Sequence, residues 1–227
     1  MCGRFTLTVE DVDFIAAGLG VPVEQLNLYK PRYNVSPTDL HPIVRMEFEQ
    51  HVVDFAKWGL INWWQKDAKE AFKQINARAE SVDTRPPFRD AFRRHRCAVP
   101  ADGFFEWVGP KTDRRPMWFH RPADEMLFFA GLYDEWKPRP NEREKTFTIV
   151  TTHANGLVEP IHNRMPVILT ADEVDAWIDP RNEDLAALKA MLKPVPDDYL
   201  VIRPVSPKLN SPKYDEAEGL VEQPQLL

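Results

Sequence analysis

Twenty-one prolines against nine glycines in 227 residues limit the fold before any periodicity is read. Each proline removes a backbone donor and pushes the residue before it out of helical space, so long helices and uninterrupted central strands are disfavoured wherever prolines fall. The chain is therefore expected to consist of many short elements joined by stiff turns. With 43% hydrophobic residues there is enough apolar material for a real core, and the length suits one domain spanning residues 1–227.

Local patterns then assign the pieces. Thr8 followed by Asp11 resembles a capping box, and Val12, Ile15, Ala16 and Leu19 fall at helical spacing before Gly20, which predicts a helix over 9–19. Residues 31–37, with a proline at each end, read as a turn-rich loop. Alternation over 43–48 and 51–58 predicts a hairpin. Trp58, Trp63 and Trp64 follow within seven residues, and at least one of the adjacent pair is expected near the surface. A short helix is expected at 69–74. Another should start at Pro87, with Phe88, Ala91, Phe92 and His95 on one side and Arg89, Arg93, Arg94 and Arg96 around it. Together with Arg85 this is the densest basic stretch, read either as a binding patch or as a solvated helix face. Strands are expected at 97–100, 104–108, 117–120, 127–136, 146–152, 167–169 and 200–205, with Asp102 in a turn. Thr170 with Glu173 caps a helix to about 178, and 184–192 is another. The tail, 208–227, lacks periodicity and is expected along the surface. The inventory implies an α+β fold with a curved, barrel-like, mainly antiparallel β core and peripheral helices.

The net charge of -6 argues against non-specific coating of nucleic acid or anionic membrane, so any polyanion site must be a local basic groove. Two cysteines supply no disulfide framework, and Cys97 in its apolar run reads as a buried small hydrophobe. The longest apolar run, 126–133, is far short of the ~20 residues a membrane helix needs. A cytoplasmic protein is expected. No His, Cys or carboxylate pair has metal-ligand spacing and no glycine-rich phosphate loop is present, so neither metal nor cofactor is expected.

The chemistry concentrates at Met1-Cys2-Gly3-Arg4. Trimming of Met1 would leave Cys2 with an α-amine titrating near ~7.7 to 8.0 and a thiol near ~8.5 on one residue. Arg4 is expected to favour the thiolate. Three further residues are polar within core-like stretches: Asn76, Glu106 and His162. A carboxyl flanked by Phe104, Phe105 and Trp107 should lose solvation and have a raised pKa, unless it points to the outer sheet face. A lone histidine such as His162 beside apolar Ile161 is more often a satisfied structural residue than a catalyst.

Six ordered motifs add a resemblance. They are Met1-Cys2-Gly3-Arg4-Phe5, Arg32-Tyr33-Asn34-Val35-Ser36-Pro37, Trp58-Gly59-Leu60, Asn76-Ala77-Arg78-Ala79-Glu80, Ala101-Asp102-Gly103-Phe104-Phe105-Glu106-Trp107 and Ile161-His162-Asn163-Arg164-Met165-Pro166. Together these resemble the SOS-response-associated peptidase (SRAP) family, abasic-site processing proteins that crosslink themselves to single-stranded DNA. The resemblance runs from residue 2 to about 206 and implies catalytic roles for Cys2, Asn76, Glu106 and His162. It also implies a basic groove, in which Arg4, Arg78 and Arg164 would clamp phosphates, Asn34 would contact DNA, and Trp63, Trp64 and Phe88 would stack on bases. The partner implied is single-stranded DNA containing abasic sites, met by a monomer. Two rivals are an N-terminal-nucleophile amidohydrolase of the glutamine amidotransferase kind, and a single-strand binding module without covalent chemistry.

Overall fold

A computed structural model describes residues 2–110, 112–123 and 125–223. Among the described residues thirteen strands carry the fold: β1 (Phe5–Leu7), β2 (Arg32–Val35), β3 (Leu40–Glu47), β4 (Gln50–Trp58), β5 (Asn76–Arg78), β6 (Arg96–Ala101), β7 (Gly103–Val108), β8 (Arg115–His120), β9 (Leu127–Trp136), β10 (Glu144–His153), β11 (Arg164–Pro166), β12 (Ile168–Leu169) and β13 (Val201–Pro204). The helices are α1 (Val12–Leu19), α2 (Pro86–Arg94), α3 (Ala171–Ile178) and α4 (Leu185–Ala190). This is the α+β fold expected from the proline-punctuated sequence.

Strands β3, β4, β6, β9 and β10 close on themselves, because β10 pairs with β9 on one side and with the end of β4 on the other. Alternate residues of these strands divide between two apolar clusters, as the two-residue period of a strand requires. Val44, Ala98, Ala130 and Val150 join the side chains of α1, α2 and α3, whereas Ile43, Val99, Phe129, Phe147 and Ile149 share a cluster with Cys2, Phe5 and Phe104. A second sheet, in the order β13-β8-β7-β1-β2, supplies Phe5 and Phe104, and Cys2 lies just before its strand β1.

Gly59 turns the chain out of the barrel at φ 125°, where a Cβ would sit 2.7 Å from Ala71 O. The chain then makes an excursion over 59–75 and returns as β5, which pairs with β10 just beyond β4. That excursion carries Trp63 and Trp64.

Several local readings need correction. Asp11 is itself the N-cap of α1, accepting from Phe14 N–H, while Thr8 Oγ1 donates to Asp102 at 2.7 Å, so no capping box forms there. The 31–37 segment contains strand β2, since both prolines fall outside the paired residues and the ladder loses no donor. The tail is more than a surface segment: Leu209 and Leu220 are buried. The capping box of Thr170 and Glu173 is present, and the hairpin of β3 and β4 forms in register from Leu40↔Lys57 to Glu47↔Gln50.

Candidate active site

Strand β1 brings the N-terminus against β7, pairing Phe5 with Phe104 and Thr6 with Gly103. Arg4 O accepts from Phe105 N–H at 3.1 Å and from the Cys2 thiol at 3.7 Å, which holds residue 2 at the junction of sheet and barrel. Asn76 opens β5 beside Ile149 of β10 and donates its Nδ2 to Cys2 O at 2.9 Å. Its Oδ1 is buried and has no partner among the described residues. Alternation along β7 sends Phe105 and Trp107 to one side and Phe104 to the side of Cys2, and Glu106 is in phase with Phe104. His162 follows the turn at Val158, whose carbonyl accepts from Ile161 N–H and His162 N–H, and β11 then docks on β10. Its Nδ1 lies 3.9 Å from Glu106 Oε1.

Burial sets the protonation states. Glu106 is pushed up from 4.5 to about 7 chiefly by desolvation. Burial pushes the Cys2 thiol far up as well, with the Glu106 charge acting in the same direction, so Arg4 does not produce the thiolate expected from its adjacency in sequence. His162 is lowered by burial, and its Nδ1 accepts from Arg164 N–H at 3.0 Å, which leaves the ring proton of the neutral form on Nε2. At neutral pH the 3.9 Å contact therefore joins a half-protonated carboxyl to a largely neutral imidazole. At that distance the two groups sense each other electrostatically and share no direct hydrogen bond.

The residues expected to meet DNA separate into two groups. Arg4 donates to Asn34 Oδ1 at 2.8 Å and Leu209 O at 3.1 Å, and fully buried Asn34 sends its Nδ2 to Leu209 O, Ser211 O and Tyr214 O. Both side chains are thus occupied by the C-terminal segment. Arg164 forms a two-pronged pair with Glu80 at 2.5 and 3.0 Å and also reaches Thr151 O. Phe88 is 2% exposed in the α2 core face, with the Arg85 guanidinium 5.7 Å from its ring, so it cannot wedge between bases. Arg96 is no part of a surface patch: its buried guanidinium donates to the carbonyls of Phe92, Arg93, Trp177, Asp179 and Asn182. In contrast Trp63 and Trp64 are 70% and 48% exposed, because the chain bends at 62–65, with Gln65 N–H bonded to Asn62 O, and does not run extended. Arg78 is exposed and its guanidinium makes no hydrogen bond among the described residues, and a cleft of about 580 Å³ lined by Trp64, Lys66, Lys73 and Arg85 lies beside Trp64.

A family model described as SOS response associated peptidase (SRAP) matches residues 1–212. The chain belongs to the SRAP family. It is 39% identical to the abasic site processing protein YoqW of Bacillus subtilis, over 96% of this chain and 98% of that one. It is 30% identical to the chicken abasic site processing protein HMCES, over 85% of this chain and 66% of that protein. A crystal structure of a protein from Bacteroides thetaiotaomicron superposes with a TM-score of 0.85 at 26% identity, covering 98% of this chain and all of that one.

Several residues support this SRAP site through contacts that no local pattern in the sequence announces. Asp102 accepts from Thr6 Oγ1, Thr8 N–H and Thr8 Oγ1, and so fastens β1 to the start of β7. Asp134 accepts from Trp63 N–H at 3.1 Å, and Trp136 Nε1 donates to Gln65 O at 2.7 Å, pinning the excursion that presents the two tryptophans. Their partners lie about 70 to 100 residues away in the chain, beyond the reach of any local pattern. Among the described residues no cluster of three His, Cys, Asp or Glu could hold a metal.

Proposed function

We propose that this protein captures abasic sites in single-stranded DNA by forming a thiazolidine crosslink through Cys2 once Met1 has been removed. The observation that carries the reading is the convergence on residue 2 of Asn76, which holds its carbonyl, and of a carboxyl pushed up to about 7 that contacts His162. The amine nitrogen adds to the ring-opened aldehyde carbon, and Glu106 delivers a proton to the carbinolamine oxygen, which leaves as water. The thiol, kept neutral by burial, is no competitor for the first attack. It then adds across the C=N bond, sulfur to carbon and proton to nitrogen by way of the carboxylate, closing a five-membered ring with no oxidant or reductant. Tethering of thiol and amine on one residue gives ring closure its advantage over strand cleavage. His162, with its proton on Nε2, serves the sugar oxygen, and Asn76 Oδ1 accepts from the α-amine.

The relatives named as abasic site processing proteins support the substrate. The peptidase in the family name fits removal of Met1 from the chain itself. An amidohydrolase of the glutamine amidotransferase kind gives no reason for the Asn-Ala-Arg, Phe-Glu-Trp and Ile-His-Asn-Arg motifs, and the relatives matched are named for abasic site processing.

The test mixes mature protein with single-stranded DNA carrying one abasic site. A heat-stable adduct is expected on the lesion and none on intact DNA, and a non-cleavable N-terminal extension should abolish it. Cys2→Ser should give only a borohydride-trappable imine and drift toward strand cleavage. Equal adduct on intact DNA, or a stable adduct from Cys2→Ser, refutes the reading.

A further inference from the structure

The segment after β13 crosses the face of the five-stranded sheet that carries Phe105 and Trp107, and its fastenings converge on residue 4. Two short 3₁₀ turns, Pro207–Asn210 and Ala217–Leu220, bury Leu209 and Leu220 against Phe105, Trp118 and Val205. Asn34 ties three carbonyls of this strap and also Arg4, whose guanidinium reaches Leu209 O directly. Asp215 locks Asn34 in turn: its Oδ1 accepts from Tyr33 N–H at 2.6 Å and Asn34 N–H at 2.8 Å, and its Oδ2 from the Arg32 guanidinium. Asn210 accepts from Trp107 Nε1 at 2.7 Å, next to Glu106, and donates to Arg114 O. Tyr214, Asp215 and Leu220 lie beyond residue 212, where the family match ends.

Burying two leucines would suffice to cover the sheet. The polar ties do something else, because they fix residue 4 from a second side. Its main chain is registered against β7, the strand of Glu106, while its side chain is registered against the strap. Beyond residue 4, Cys2 has the Asn76 hydrogen bond and its own thiol contact to Arg4 O. We propose that the C-terminal strap, acting through Asp215 and Asn34, is a positioning element of the reaction centre that holds Arg4, and through it Cys2, in register with Asn76 and Glu106. The proposal rests on the crosslinking reaction described above. Asp215 and Asn34 touch no substrate; they act through Arg4. A displacement of about 1 Å at a reacting group costs roughly a hundred-fold in rate, so a small relaxation of residue 4 is enough to matter.

The experiment follows adduct formation in single turnover as a function of abasic DNA concentration, with melting temperatures measured in parallel, on the full chain. Asp215→Ala should lower the maximal rate about ten-fold or more while the half-saturating DNA concentration stays within about two-fold, because a position-dependent chemical step is lost and not a DNA contact. Asp215→Asn keeps a carbonyl oxygen for the Tyr33 and Asn34 N–H groups and should recover most of the rate. Leu188→Ala, buried on α4, should lower the melting temperature without slowing adduct formation. Should Asp215→Ala not fold, Arg4→Gln releases the side chain that Asn34 and Leu209 O hold and carries the same split, a slower maximal rate at unchanged half-saturation. A wild-type maximal rate in the variant tested, or an equal slowing by Leu188→Ala, overturns the inference. Wild-type protein that forms no adduct overturns the crosslinking reaction instead.

Discussion

Replacing Glu106 by glutamine should make the protein more stable, and by an amount that grows with pH. In the folded chain the carboxyl is raised from 4.5 to about 7 by desolvation. Below pH 4.5 it is protonated whether the chain is folded or not, and burial of the neutral acid costs little. Between 4.5 and 7 the unfolded chain releases the proton and the folded chain keeps it, so the folded state binds more protons and stability falls as pH rises. Above 7 the whole penalty is present. At about 1.4 kcal/mol per pH unit it amounts to roughly 3 kcal/mol, an order-of-magnitude figure for a buried carboxyl beside a second titrating group. Glutamine has nearly the same shape and no charge, so Glu106→Gln should outlast wild type in urea by roughly 3 kcal/mol at pH 8, the gap shrinking toward zero near pH 4.5. Taking the difference between the two proteins at each pH cancels every titrating group that does not interact with residue 106. The same substitution removes the proton donor and should slow adduct formation most below pH 7, where the wild-type carboxyl still holds its proton, the difference narrowing as that carboxyl ionises above 7. A stability gap that does not change between pH 5 and 8 would show that the carboxyl is not desolvated, and the assignment of Glu106 as the acid would go with it.

Two further outcomes separate surface residues from core residues that the sequence presents alike. Trp63→Ala or Trp64→Ala should weaken binding of undamaged single-stranded DNA by about 1–3 kcal/mol with little loss of stability, whereas Phe88→Ala should cost about 3–5 kcal/mol of folding free energy in urea and leave the affinity of the folded protein unchanged. Arg78→Gln should flatten the slope of log affinity against log salt by about 0.7, the release expected for one phosphate contact on a single strand. Arg4→Gln should leave that slope unchanged, since Arg4 is held by Asn34 and Leu209; a slope that falls equally for both would return Arg4 to the DNA surface.

Much of the local structure and the reactive constellation was legible in the sequence. The Gly20 stop of α1, the capping box of α3, the hairpin of β3 and β4 and the in-phase pairing of Glu106 with Phe104 all follow from interactions within a few residues. The residues at 2, 76, 106 and 162 stood out as a thiol near the N-terminus and polar groups in apolar runs, while the face taken by Glu106 and the role of His162 stayed open.

What only the tertiary structure decided is which of the polar residues face inward. Arg4, Asn34 and Arg96 read as surface groups, since a charge or an amide is costly to bury without partners. Each is nonetheless taken up by backbone carbonyls of segments that arrive from far along the chain, the strap for the first two and the end of α3 for Arg96. The closure of β10 on both β9 and β4 depends likewise on pairings separated by about 90 residues in one case. The protonation states of Cys2 and Glu106 follow from that closure, because a thiol and a carboxyl shift according to the solvent they lose. Solvent loss is a property of the assembled fold and not of the neighbouring residues.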